Sequence, residues 1–116
     1  MHEASLVDAL FDQVDQAMAA QPPGRLCLLR VRVGELAGVE PELFRTAFEV
    51  IRGSRGHDDR AMLELVNEYA VWTCAACATR VPRGGVLRCE TCGGAATLTG
   101  GGDIILDRIE LEVSDV

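Results

Sequence analysis

The sequence predicts an α+β fold: a small antiparallel or mixed sheet of about three strands with two helices, carrying an inserted four-cysteine ribbon. Three observations predict it. Two segments repeat apolar residues at helical spacing, and three alternate apolar with polar residues at strand spacing. Two Cys-x-x-Cys pairs then fall between the last two strand segments, in WTCAACATRVPRGGVLRCETCGGAATL.

The elements follow in order. From Ala4 to Ala20, Leu6, Val7, Leu10, Phe11, Val14, Ala17 and Met18 share one helical face, and Gln21-Pro22-Pro23-Gly24 stops the helix. Leu26 to Val33 reads as a strand, with Cys27, Leu29, Val31 and Val33 facing the core and Arg30 and Arg32 facing away. That parity makes Cys27 a small core residue. After a turn at Gly34-Glu35-Leu36-Ala37-Gly38-Val39, Pro41 sits where a helix tolerates proline, in the first turn. Leu43, Phe44, Ala47, Phe48, Val50 and Ile51 make the apolar face of this second helix. The polar loop GSRGHDDR ends it, and His57 within that loop is expected to be exposed and without a role. Ala61 to Trp72 reads as one long strand running into Cys74, and Ile104 to Val113 as the last strand. These two are expected to be antiparallel neighbours. The domain boundaries follow: an α/β domain of residues 1–72 and 103–116, and a ribbon domain of residues 73–102.

The paired cysteines carry the first chemistry. Cys74 with Cys77, and Cys89 with Cys92, each fit one tight turn, and eleven residues separate the pairs. A tetrahedral Zn²⁺ wants four soft ligands, which two facing turns supply. A pair of disulfides would require an oxidising compartment. A rubredoxin-like iron site uses the same ligand set and stays open on residues alone.

Composition bounds the rest. Among 116 residues, 48% are hydrophobic and 25% charged, as in an ordinary globular protein. No run of 18 apolar residues offers a membrane span. The start MHEASLVDAL has no basic region of a secretory signal, so a cytoplasmic location is expected. A net charge of −7 argues against nucleic acid. Residues 73–102 carry a formal +2, which leaves −9 for the remainder. No nucleophile elbow or phosphate loop is present, so no enzyme is expected.

Met1-His2-Glu3 carries the second chemistry. His2 is not small, so Met1 is expected to persist. Its α-amine, the His2 amide nitrogen and the His2 imidazole can then close fused chelate rings on one metal. Nitrogen donors so arranged suit Ni²⁺ or Cu²⁺. A carboxylate from Glu3 or Glu40 would fill another position, Glu40 only if the two helix starts lie together.

The two ends together make a specific combination. MHEASL, VRVGELAGVEPELFRTAFE and the paired cysteines resemble the HypA/HybF family of hydrogenase nickel-incorporation proteins over essentially the whole length. The resemblance implies a metallochaperone that hands nickel to the NiFe-hydrogenase large subunit with a HypB-type GTPase, some members also serving urease maturation. It implies a nickel site at His2, with Glu3 and Glu40 as further ligands, and a structural zinc on Cys74, Cys77, Cys89 and Cys92. A monomer or a homodimer is compatible with it. The alternative from a different class is a zinc-ribbon adaptor with no specific nickel binding. One departure stands out. Gly93 follows the second cysteine of its pair, but Ala78 follows Cys77, where zinc knuckles usually carry glycine.

Overall fold

The computed structural model describes residues 2–82 and 86–113. The order is α1 (His2–Ala19), β1 (Gly24–Gly34), α2 (Pro41–Ser54), β2 (Met62–Glu68), β3 (Val71–Cys74), β4 (Arg80–Val81), β5 (Ala96–Gly100) and β6 (Ile104–Val113). Two three-stranded sheets result, ordered β2-β1-β6 and β4-β3-β5. By contacts the chain divides into two compact units, one of the described residues in Met1–Arg32, Val39–Val66 and Ile105–Val116, the other of those in Val33–Gly38 and Asn67–Ile104. No helix of the described residues is long and apolar enough to cross a membrane.

β1 is the central strand of the first sheet. Arg30 pairs with Glu64 at 3.1 Å and the Glu35 amide donates to the Glu68 carbonyl at 2.8 Å, so β1 and β2 climb together. They are parallel, and α2 is the crossover that parallel strands require. Gly34 donates to the Asp103 carbonyl at 2.9 Å, while a Cβ on Gly24 would strike the Glu112 carbonyl. β6 therefore runs antiparallel to β1, and the sheet is mixed. Val7, Leu10, Phe11 and Val14 of α1 are buried with Leu26, Leu29 and Val31 of β1 and with Phe44 and Phe48 of α2. Phe11 and Phe48 stack with ring centres 5.6 Å apart.

Four expectations need correction. The segment from Ala61 to Trp72 is not one strand; it breaks at Tyr69-Ala70, where the Ala70 amide donates to the Glu35 carboxylate at 2.8 Å instead of to a ladder. β2 and β6 are not neighbours, because β1 lies between them. Alternation in β1 slips, so Leu26 is fully buried and Cys27 only half-buried. The apolar face of α2 is wider than the core needs: Phe44 and Phe48 are buried, but Leu43 and Val50 are exposed.

In the second unit, β3 pairs antiparallel with β4 (Trp72 with Val81, Thr73 with Arg80) and with β5 (Thr73 with Thr97, Cys74 with Ala96). Its core is small: Cys74, Val81 and Cys89 are buried, with Trp72 and Ala96 packed against them.

Candidate metal sites

Each ribbon knuckle is a backbone turn that aims two sulfurs one way. In the first, the Ala78 amide donates to the Cys74 carbonyl at 3.0 Å, and the Cys74 amide to the Thr79 carbonyl at 2.8 Å. In the second, Gly93 donates to the Cys89 carbonyl and Cys89 to the Gly94 carbonyl, both at 2.9 Å. The matching bonds make the knuckles equivalent. The residue after each second cysteine takes a left-handed backbone, φ +61° at Ala78 and +73° at Gly93. Gly94 is needed for close approach, since a Cβ there would lie 3.0 Å from the Cys74 sulfur.

The four Sγ atoms of Cys74, Cys77, Cys89 and Cys92 lie within 4.8 Å of one another. Cys74 and Cys92 approach to 3.4 Å, Cys77 and Cys89 to 3.6 Å, and Cys77 and Cys92 to 3.7 Å. A tetrahedral ion with ~2.3 Å bonds to sulfur requires edges of ~3.8 Å, so the donor set fits a metal as it stands. None of the four is in a disulfide. Amides of Cys77 and Ala76 draw the Cys74 thiol down, as Thr79 does for Cys77 and the Cys92 amide for Cys89. Cys92 is the exception. The Gly94 amide lowers it, but the Cys74 and Cys77 thiols outweigh that and push it up to about 12. Four sulfurs this close do not all ionise alone, and a cation is what takes the place of the last proton.

Among the described residues, no other group of three or more His, Cys, Asp or Glu donors converges. The N-terminal residues are gathered differently. α1 begins at His2, and Glu40 caps α2 without a side-chain capping bond. The Glu3 carboxylate accepts the Glu40 amide at 3.2 Å and lies 3.8 Å from His2 Nδ1. The two helix starts thus do lie together. The Glu40 amide, the Glu3 amide and the nearby His2 ring hold the Glu3 carboxyl below its ordinary range. His2 and Glu40 are exposed, and the Met1 amine lies outside the described residues.

The profile of the family described as hydrogenase/urease nickel incorporation, metallochaperone, HypA matches residues 1–111. The chain belongs to the HypA family. A hydrogenase maturation factor HypA from Archaeoglobus fulgidus is 35% identical over 114 residues, covering 97% of this chain and 100% of that one. One from Shewanella halifaxensis is 33% identical over 115 residues, covering 97% and 98%. The fold agrees with the solution structure of the Ni metallochaperone HypA from Helicobacter pylori, with TM-score 0.76 at 23% identity and coverage of 97% and 98%. It agrees also with another HypA solution structure, with TM-score 0.82 at 24% identity and 98% of each chain.

The structure corrects one expectation about a loop residue. His57 is not an exposed loop residue; its side chain is 10% exposed, stacks on Phe11 at 5.2 Å and meets Asp15 at 2.8 Å through Nε2. Beside it Arg55 binds Asp8, Asp12 and Asp15 at 2.6–2.9 Å. The signal was the acid stripe of α1 at spacings of four and three, which wants a basic partner. Nothing in one sequence says that the loop after α2 lands on it.

Proposed function

We propose that this chain is a nickel metallochaperone that takes up Ni²⁺ at its N-terminus and delivers it to the NiFe-hydrogenase large subunit during maturation. His2 is the principal ligand, chelating with its amide nitrogen and the Met1 amine, and Glu3 and Glu40 are its carboxylate neighbours. The observation that carries this reading is the 3.2 Å bond from the Glu40 amide to the Glu3 carboxylate, with the His2 imidazole alongside. It brings the Glu3 carboxylate and the His2 imidazole to the start of α2, where Glu40 stands. His2 also opens α1, and the first amides of a helix have no intrahelical acceptor, so its nitrogen is available to a metal.

Cys74, Cys77, Cys89 and Cys92 hold a structural zinc. A four-thiolate site is coordinatively closed and lacks an open position for substrate, so it braces the ribbon. Residues 1–72 and 103–116 form the nickel-handling domain and residues 73–102 the ribbon. The chain works by binding, not by catalysis, in the cytoplasm, with a HypB-type GTPase supplying nucleotide chemistry and urease maturation factors as further partners. Nucleic acid and membrane are not among them.

The test uses an accident of composition. The chain has eleven arginines and no lysine, so the Met1 amine is its only ordinary primary amine. Nickel is titrated calorimetrically into tag-free, zinc-loaded protein before and after mild acetylation, with His2→Ala beside it. Tight binding lost in both altered forms supports the N-terminal chelate. Binding indifferent to both, or absent from the native chain, leaves a zinc-ribbon adaptor as the function.

A further inference from the structure

We infer that the groove between the start of α1 and the outer face of α2 docks a basic amphipathic helix of a partner protein. The groove has a volume of about 260 Å³ and belongs wholly to the first unit. It is lined by Ala4 from α1 and by Leu43, Thr46, Ala47, Val50 and Ile51 from α2. Leu43, Ala47 and Val50 follow one another at spacings of four and three, a second apolar stripe beside the buried Phe44 and Phe48. The fold does not need this stripe, for Leu43 is 56% and Val50 66% exposed. The cavity falls just below the ~300–1,000 Å³ of small-molecule pockets. It suits one or two anchoring side chains of a helix laid across a groove.

Charge selects the occupant. Glu3 forms one wall, and Glu40 and Glu42 stand at the start of α2. Further along α1, Asp8, Asp12 and Asp15 share the single Arg55 guanidinium, leaving acid in excess. The other arginines of α2 are directed elsewhere: Arg45 and Arg52 donate to the Leu63 and Ala61 carbonyls. The seam is therefore apolar with an acidic border. A second copy of this chain would press like charges together, at a net charge of −7 per chain. A helix with an apolar ridge and flanking Lys or Arg meets both features. Because Glu3 is at once groove wall and neighbour of His2, such a helix lies beside the N-terminus. Only the use of that proximity rests on the nickel reading; the docking does not.

The test uses fluorescent synthetic helices of about 18 residues, long enough to form in isolation. One carries a leucine ridge at spacings of three and four with Lys and Arg flanks. A second has the same ridge with Glu flanks, and a third has the basic composition scrambled. Anisotropy on the whole zinc-loaded chain should show the basic helix binding at least about tenfold more tightly than either control, weakening from about 50 to about 300 mM salt. Leu43→Asp and Val50→Asp should each lose about tenfold. Their melting curves should stay unchanged, since both side chains are exposed. Amide shifts should centre on Ala4 and Ala47. Equal binding of the acidic or scrambled helix, no binding of the basic one, or indifference to Val50→Asp overturns the inference. So does self-association abolished by Val50→Asp, which would assign the face to a second copy. Nickel titration of Val50→Asp runs alongside. A wild-type chain that docks the helix yet takes no nickel leaves docking standing and sinks the nickel reading alone.

Discussion

At residue scale, two positions carry measurable consequences. Ala78 holds φ +61°, a region that costs a residue with a Cβ about 1–2 kcal/mol. Ala78→Gly removes that cost but loosens the unfolded chain, for a net gain of about 0.5 kcal/mol. We expect metal release from the ribbon to a competing chelator to slow about twofold, and Gly93→Ala to speed it. The departure was legible because a knuckle turn has a geometric requirement that a sequence either meets or does not. Glu3 is the second position. Its carboxyl is held low, chiefly by the Glu40 amide. A carboxylate so depressed stabilises the fold above its unfolded pKa of ~4.3, and that contribution is lost as pH falls through the lower folded value. In Glu3→Gln the acid limb of the stability curve should begin to fall at lower pH than in the wild type, read by denaturant melts between about pH 5 and about pH 3. A curve unchanged by the substitution would show that the Glu40 contact contributes nothing.

At the scale of elements, helices and strands were largely readable, and their joins were not. Periodicity shows which residues face inward, so both helices, β1 and β6 were found. It does not show that the Glu35 carboxylate takes the Ala70 amide and ends a strand that hydrophobicity would continue. His57 was missed for the same reason: loop composition suggested exposure, while packing on Phe11 and Asp15 decided otherwise. His57→Ala should cost about 1–2 kcal/mol, seen as a lower melting point of the first unit, since it removes a ring stack and a polar contact. β2 is an edge strand, and such edges recruit other strands unless guarded. Arg52 and Arg45 guard it by engaging the carbonyls of Ala61 and Leu63, at 2.9 and 3.5 Å. The double change Arg45→Ala with Arg52→Ala should raise light scattering on warming well before it lowers the melting point. Scattering that merely tracks unfolding would remove the edge-guarding role.

At the scale of the molecule, the two units depend on different forces. The first has an aromatic and aliphatic core through Phe11, Phe44, Phe48, Leu26 and Leu29. The second buries only small side chains among its described residues, Val33, Ala70, Cys74, Val81 and Cys89, and leans on its sulfur cluster. Stripping the metal with a chelator should therefore erase the amide spectrum of the described residues within Asn67–Ile104 while that of α1 and α2 persists. A ribbon that keeps its spectrum without metal would contradict this. Cysteine spacing made the ribbon legible at once, whereas at the N-terminus only residue types were legible. Whether the two helix starts met was a tertiary fact. That meeting carries a further consequence. Each helix start presents roughly half a unit of positive charge from its aligned peptide dipoles. Where α1 and α2 begin side by side, two such poles meet the Glu3 carboxylate and the acidic residue Glu40. Two full negative charges outweigh two half-charges, so the place stays acidic, but with about half the pull of the carboxylates alone. On the proposed nickel reading, a cation there would be drawn in yet held by a grip weakened from beneath, which a recipient with better ligands could overcome.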